Sequence, residues 1–390
     1  MPEAVIVSAA RTPIGRAMKG SLVDVRPDDL GGFAIREAMA KVPQLDPSEI
    51  EDVYVGCGFP EEEQGMNLAR RAALLAGLPD TVPGATVNRF CASSLQTQRM
   101  AFHAIKSGEG DAYVAGGIES ITRVPQVPRG AANGDFSAFH PDQGGATFTQ
   151  VYMPMGMTAE NVAERYGVSR EDMDAFAKRS QDRAVAAQER GFFDNEISPV
   201  AKPDGSVVSK DDGPRAGTTL EKLASLKPAF KPDGVVTAGN ACPLNDGAAA
   251  VVIMSDERAK QLGIAPLARI VASAVSGIDP EIMGVGPIEA IKTVLKRAGM
   301  SIGDIEQFEL NEAFAAQVIP VCREVGIDPF DDRVNPNGGA IALGHPYGMT
   351  GARIMCTLLN GMREAGKTVG LETMCVGGGQ GMAMVIERLG

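Results

Sequence analysis

Ala85-Thr86-Val87-Asn88-Arg89-Phe90-Cys91-Ala92-Ser93-Ser94-Leu95-Gln96 changes character halfway along its length. Ahead of Cys91 a short β-branched run reads as a strand. Behind it, Leu95, Phe102 and Ile105 recur at helical spacing, and Gly108 stops the helix. Asp111-Ala112-Tyr113-Val114-Ala115-Gly116-Gly117 is the next strand. A strand–helix–strand succession of this kind points to an α/β fold and puts Cys91 where a strand turns into a helix. Unpaired backbone N–H groups and the positive end of the dipole meet there. Both favour a thiolate, the nucleophilic form of cysteine. The small residues Ala92, Ser93 and Ser94 let a second group come close to the sulfur. The competing reading is a buried structural cysteine, since free cysteine is among the most buried residue types.

Two stretches downstream shift the balance. Asn335-Pro336-Asn337-Gly338-Gly339-Ala340-Ile341-Ala342-Leu343-Gly344-His345-Pro346 is glycine-rich with one histidine, and Cys375-Val376-Gly377-Gly378-Gly379-Gln380-Gly381 follows it. Together with Cys91 they would supply a nucleophile, a base and a second acid/base.

The 390 residues allow two or more domains of ordinary size. A net charge of −12 argues against nucleic acid and anionic membrane surfaces as partners. An anionic substrate would therefore be met locally, by a few Arg or Lys or by backbone N–H groups. No apolar run is long enough to span a bilayer. Met1-Pro2-Glu3-Ala4-Val5-Ile6-Val7 reads as a first strand rather than a signal peptide. The six cysteines (57, 91, 242, 322, 356 and 375) are scattered and form no Cys-x-x-Cys pair. With only three histidines, they leave no metal-ligand spacing, so no metal is expected. A chain of this size in a reducing cytosol needs no disulfides, and a cytoplasmic location is expected.

Strands at Ala4–Ala9 and Val53–Cys57, and helices at Asp28–Lys41 (Asp28 or Asp29 near its cap) and Asn67–Ala76, alternate ahead of the Cys91 unit, which argues for a largely parallel sheet. From about Glu119 to Asn245, Pro, Gly, Asp and Met become frequent. Helices are expected there at Thr158–Tyr166, Ser169–Arg190 and Thr219–Leu226, with Ser169-Arg170-Glu171-Asp172 as a capping box. This section reads as an inserted, loop-rich subdomain, of the kind that usually serves as a lid or binding surface. Asp246–Met254 resumes a helix-to-strand pattern. From Pro266 the chain starts again. Ala268–Ser273 is a strand and Pro287–Ala298 a helix. Ser301–Leu310 resembles Asp46–Val55, and Arg333-Val334-Asn335 matches Thr86-Val87-Asn88. A helix at Thr350–Ala365 and a strand at Thr368–Met374 follow. This is an internal duplication, which gives three parts: 1–118 with 246–265, the insertion 119–245, and 266–390. Two similar halves packed face to face would bring Cys91, His345 and Cys375 to one pocket at the strands' C-terminal ends.

The chain resembles a thiolase over essentially its whole length. Val87-Asn88-Arg89-Phe90-Cys91, Asn311-Glu312-Ala313-Phe314-Ala315, Asn337–Pro346, Cys375–Gly381 and Ala10-Arg11-Thr12-Pro13-Ile14-Gly15 carry the resemblance. It implies duplicated βαβαβαββ halves in a five-layered arrangement with an inserted loop subdomain. It also implies a homo-oligomer, dimer or tetramer, with a place in a β-oxidation complex as a further option. The implied activity is reversible cleavage of 3-ketoacyl-CoA by CoA to acetyl-CoA and a shortened acyl-CoA, with coenzyme A as co-substrate and no bound cofactor. By this resemblance Cys91 carries the acyl group, and His345 takes its proton and helps hold the oxyanion. Asn311 supplies a second donor through a water. Cys375 is the second acid/base, and the N–H groups of Cys91 and Gly377 form a second oxyanion hole. Arg215 meets the CoA phosphates. Leu226, Ala229, Phe230, Ala238, Cys242, Ala313 and Phe314 line the pantetheine path, and Met155 and Met283 border the acyl pocket. His103 and His140 are assigned structural roles.

Some positions depart from the family pattern. Ser94 stands where glycine is common, and Cys242-Pro243 where a serine and a small residue often sit. Tyr347 and Met349 replace a leucine and a smaller residue, enlarging side chains beyond His345. Pro154 before Met155-Gly156 resembles the degradative branch, whereas the acetoacetyl-CoA-forming branch tends to carry a histidine there. A dedicated acetoacetyl-CoA thiolase is thus the alternative within enzymes. A ketoacyl synthase would need a second histidine in place of Cys375. A non-catalytic acyl-CoA-binding or scaffold protein would be expected to have lost Cys91, His345 or Cys375.

Overall fold

The computed structural model describes residues 2–124 and 151–390. Its first half runs β1 (Ala4–Arg11), β2 (Gly15–Arg16), α1 (Pro27–Ala40), β3 (Asp52–Gly56), α2 (Leu68–Leu75), β4 (Gly84–Val87), α3 (Ser93–Ser107) and β5 (Ala112–Ser120). The insertion holds α4 (Met155–Tyr166), α5 (Arg170–Glu189), the two-stranded β6 (Val200–Ala201) and β7 (Val207–Val208), and α6 (Leu220–Ala224). β8 (Asn245–Ser255) and α7 (Asp256–Leu262) complete the first half. The second half is β9 (Ala268–Gly277), α8 (Pro287–Ala298), β10 (Gln307–Leu310), α9 (Ala315–Val325), α10 (Ala340–Leu343), α11 (Thr350–Ala365), β11 (Val369–Val376) and β12 (Gln380–Arg388).

The strands form one sheet in the order β10-β11-β12-β9-β1-β8-β5-β3-β4, with β2 on β8. The halves meet where β1 and β9 pair through only Val5↔Arg269 and Ile6↔Ala268. The expected parallel character holds only for β3 with its two neighbours and for β10 with β11. The remaining pairings are antiparallel, because β5–β8 and β11–β12 run as return strands within each half.

The period-2 alternation of the strands sorts the core into layers. On β8, Ala248, Ala250, Val252 and Met254 face one apolar cluster, while Ala249, Val251 and Ile253 face another. On β12, Met382, Met384 and Ile386 join that second, shared cluster, and Ala383 and Val385 turn to a third. The shared cluster is filled by α3 (Leu95, Ala101, Ile105) and α11 (Met355, Leu358, Met362). Helices α1 and α2 cover the outer face of the first half, and α8 and α9 that of the second. The result is five layers: helices, sheet, the α3–α11 pair, sheet, helices. The second half echoes β4 only as a parallel bridge between Phe308 and Val334.

Two local expectations are corrected. Asp246–Met254 contains no helix: β8 is extended and buried over its whole length, so its small residues serve sheet packing on both faces. Asp28 does not cap α1. Arg26 is the cap position and Pro27 opens the helix, leaving Asp28 to pair with Arg26 and Arg71. By contrast α5 is capped as expected, with Ser169 accepting from Asp172 N–H at 3.0 Å. The insertion is tied to the sheet by the buried Arg11 on β1. Its Nε donates to Glu196 at 2.8 Å, and Nη1 and Nη2 donate to Asp211 at 2.8 and 2.9 Å.

Candidate active site

The strand β4 and the helix α3 are separated by a single 3-10 turn, Phe90–Ala92, that carries Cys91. Phe90 lies at φ +44°, a costly conformation for an aromatic residue. Ser93 holds this turn, accepting from Arg89 N–H at 2.9 Å and donating to the Phe90 carbonyl at 2.6 Å. The Cys91 sulfur accepts from its own N–H and from that of Gly377, which bridges the two halves.

Burial nevertheless pushes the Cys91 thiol up to about 12. This corrects the expectation of a thiolate. A helix start favours a negative charge by about 0.3–2 kcal/mol. A pKa near 12 makes ionisation at neutral pH cost on the order of 7 kcal/mol. Desolvation wins, and Cys91 rests as a thiol.

His345 is its complement. Burial, helped by the nearby Arg353 cation, lowers the imidazole to about 3, so it is neutral. Its tautomer follows from Thr350. The Thr350 hydroxyl donates to the Pro346 carbonyl at 2.7 Å and lies 2.6 Å from Nδ1 of His345. Having spent its one hydrogen, Thr350 accepts from Nδ1–H, and the lone pair is left on Nε2. Asn311 Nδ2 lies 3.3 Å from that Nε2, while its buried Oδ1 has no partner among the described residues. The turn before His345 depends on Gly344, at φ +110°, where a Cβ would lie 2.6 Å from the Asn245 side chain. That side chain accepts from His345 N–H at 3.0 Å.

Cys375 sits near the end of β11, fully buried, paired in register with Gly381. Burial and the neighbouring Cys91 and Cys242 thiols raise it well above its ordinary range. Cys242, whose N–H donates to the Ala313 carbonyl at 3.0 Å, is raised by burial and by Cys91. Cys91, Cys242 and Cys375 therefore share one site, and all six cysteines are free thiols. Met155 borders it: its Sδ would lie 3.7 Å from a Cβ on Gly377. Met283 is buried in the same apolar layer as Cys375.

The other residues read from the sequence lie along the insertion. Leu226, Ala229, Phe230 and Ala238 are exposed, whereas Ala313 and Phe314 are buried beneath them. Phe230 and Phe314 meet edge to face at 6.2 Å. Arg215 is exposed and lowered by partial burial and by Arg16. Neither arginine has a carboxylate partner among the described residues. Of the two remaining histidines, His103 rests beside the Phe102 ring at 5.2 Å, and His140 lies outside the described residues.

Sequence reading missed Thr350, Arg16 and Glu119. Arg16 follows the quoted Ala10–Gly15 stretch directly, and its position there was the available signal. Glu119, buried at the end of β5, accepts from the N–H groups of Gly58 (2.7 Å), Phe59 (3.2 Å) and Gly348 (2.7 Å) and from Gln64 Nε2 (2.8 Å). It thereby fixes the turn after His345. Of the two enlarged side chains there, Tyr347 faces the site, edge to face on His345 at 5.0 Å. Met349 instead packs in the central apolar layer.

Comparison with known proteins shows the family. The thiolase N-terminal domain family matches residues 4–257 and the thiolase C-terminal domain family residues 264–388. The chain is 48% identical to a 3-ketoacyl-CoA thiolase of Bacillus subtilis (strain 168), covering 99% of this chain and 100% of that protein. It is 46% identical to a β-ketoadipyl-CoA thiolase of Acinetobacter baylyi, covering 100% of both. The crystal structure of the Bacillus anthracis acetyl-CoA acetyltransferase superposes with a TM-score of 0.90 at 41% identity, covering 100% of this chain and 99% of that one. The chain belongs to the thiolase family.

Proposed function

We propose that the protein is an acetyl-CoA C-acyltransferase that cleaves 3-ketoacyl-CoA with CoA by way of an acyl group on Cys91. The observation that carries this is the convergence of a buried thiol, a neutral imidazole with its lone pair on Nε2, and a second buried thiol. Cys91 attacks the 3-keto carbon as His345 Nε2 takes its proton, so no free thiolate is needed beforehand. The resulting imidazolium, with a water held by Asn311, stabilises the oxyanion. The carbon–carbon bond then breaks. Cys375 donates its proton to the departing acetyl-CoA carbanion, and its thiolate later deprotonates the incoming CoA. The two N–H groups now on the Cys91 sulfur are read as the donors to the thioester oxygen, and one such donor is typically worth about 10²–10³ in rate.

Coenzyme A is read as co-substrate, with its pantetheine arm along Phe230, Phe314, Ala238 and Leu226. Exposed apolar side chains over buried ones suit a chain that must reach a buried sulfur. Arg215 and Arg16, both without carboxylate partners among the described residues, suit its phosphates. A second reading of the acyl group, a chain ending in a carboxylate, is favoured by relatives named β-ketoadipyl-CoA thiolase. A role in β-oxidation is read from the relatives named 3-ketoacyl-CoA thiolase.

Among the described residues no helix is long and apolar enough to cross a membrane. Six free thiols suit the reducing cytoplasm, where we place the enzyme. A homo-oligomer is supported by Met66 (88% exposed), Leu74 and Leu75 (46% each) beside β4, the last strand of the sheet.

Replacing Cys375 by Ser tests the division of labour. The variant should still accept an acyl group on Cys91 from an activated thioester, yet lose carbon–carbon cleavage by about 10²-fold or more. Unchanged thiolysis would refute the role given to Cys375.

A further inference from the structure

Tyr347 is partly buried and packed against the site. Its ring stands edge to face on His345 at 5.0 Å and against Phe59 at 5.8 Å. The backbone on its far side is fixed by Gly348 N–H on Glu119 at 2.7 Å, and a Cβ on Gly58 would lie 3.1 Å from the Tyr347 Cβ. The ring is therefore part of the wall beside the reacting atoms. Its phenol is in electrostatic reach of Cys242, Cys91 and the Glu119 carboxylate, and burial raises it well above its ordinary range, so it carries its proton and can donate. No described residue accepts a hydrogen bond from its hydroxyl. Apart from Asn311, whose Nδ2 lies 3.3 Å from His345 Nε2, the described side chains around the site are apolar or sulfur-bearing: Phe90, Met155 and Cys242.

A donor without a protein partner in a largely apolar wall discriminates strongly. A hydrocarbon chain strips it of water and offers nothing in return, whereas an acceptor oxygen satisfies it. We infer that Tyr347 determines acyl specificity: its hydroxyl donates to an oxygen carried on the acyl chain, so the preferred 3-ketoacyl-CoA bears a second oxygen function beyond the 3-keto group. This rests on the thiolase reading above. The acceptor chemistry is shared by a terminal carboxylate and by a neutral keto or hydroxyl oxygen, and the substrates below separate the two.

The test compares kcat/KM for three 3-ketoacyl-CoAs of equal chain length: one ending in an alkyl group, one in a carboxylate and one in a hydroxyl. The full-length wild type and Tyr347→Phe are measured with each. The wild type should prefer at least one oxygenated chain over the alkyl chain by roughly tenfold or more. Tyr347→Phe should erase that ratio, and the chain whose ratio collapses identifies the oxygen. Tyr347→Leu, which places the family's usual residue there, gives the same readout should the phenylalanine variant fold poorly. A wild type that prefers the alkyl chain, or a variant that lowers all three in proportion, overturns the proposal. A wild type inactive on all three, with Cys91 never acylated, overturns the thiolase reading and the proposal with it.

Discussion

Cys91 and His345 rest as a thiol beside an imidazole, because both are too deeply buried to hold a charge. Reactivity must then come from proton transfer during attack, which makes the placement of the Nε2 lone pair decisive. Thr350 sets that placement. Thr350→Val keeps the shape but removes the acceptor for Nδ1–H, freeing the other tautomer. We expect kcat for thiolysis to fall roughly 10–100-fold, with the KM for CoA nearly unchanged. Steady-state kinetics with both substrates checks this, and an unaltered kcat would mean that Thr350 does not select the tautomer. Cys91, His345 and Cys375 were legible in the sequence as candidates because each stands in a glycine-rich or small-residue turn. Thr350 was not, since a contact five residues along from His345 follows no helical period. The thiol's protonation state was misread for a related reason: its helix start is local and visible, whereas its burial is made by the other half of the chain.

Polar contacts join elements at the site. Ser94, where the family often has glycine, accepts from Ala352 N–H at 2.9 Å and so satisfies an otherwise unpaired donor in the first turn of α11. The two helices can approach this closely because Gly351 has no side chain; a Cβ there would lie 2.4 Å from the Leu95 nitrogen. Glu119 holds three loop N–H groups from two loops at once. Glu119→Ala strands those donors in the interior and releases the turn that carries His345 and Tyr347. We expect a stability loss of about 2–4 kcal/mol and a fall in kcat of about 10²-fold. Urea unfolding and thiolysis assays measure the two effects; stability lost with kcat intact would show that the turn holds without Glu119. Helices α8 and α11 were legible to their boundaries, because Gly299 and Gly366 stop clean apolar periods. β8 was not, because Gly247-Ala248-Ala249-Ala250 has no polar residue to reveal its alternation.

Across the whole molecule, duplication packs the equivalent helices α3 and α11 against each other and joins their first turns through Ser94 and Ala352. It also buries charge. Glu309 on β10 and Glu372 on β11 are directly in register, facing the fully buried Arg353. Burial raises Glu309 to about 8 and Glu372 well above the carboxylate range. Between roughly pH 4.3 and 8 the folded chain therefore keeps a proton on Glu309 that the unfolded chain has released. That contribution is present below the unfolded value and is lost as pH rises, at up to about 1.4 kcal/mol per unit. Glu309→Gln should flatten this decline, so that the variant gains on the wild type as pH rises from 5 to 8. Parallel stability curves over that window would contradict the assignment. The duplication itself was legible from repeated segments. The antiparallel return strands and the acidic pair were not, because cross-strand register does not appear in a linear sequence.

The central claim is that Cys91 carries the acyl group, although Cys242 and Cys375 share its site. An acid-quenched incubation with a 3-ketoacyl-CoA in the absence of free CoA, followed by peptide mass mapping, tests it directly. We expect an acyl group two carbons shorter than the substrate, on Cys91 alone. Acylation of Cys242 or Cys375, or no acylation while CoA still binds, would contradict it.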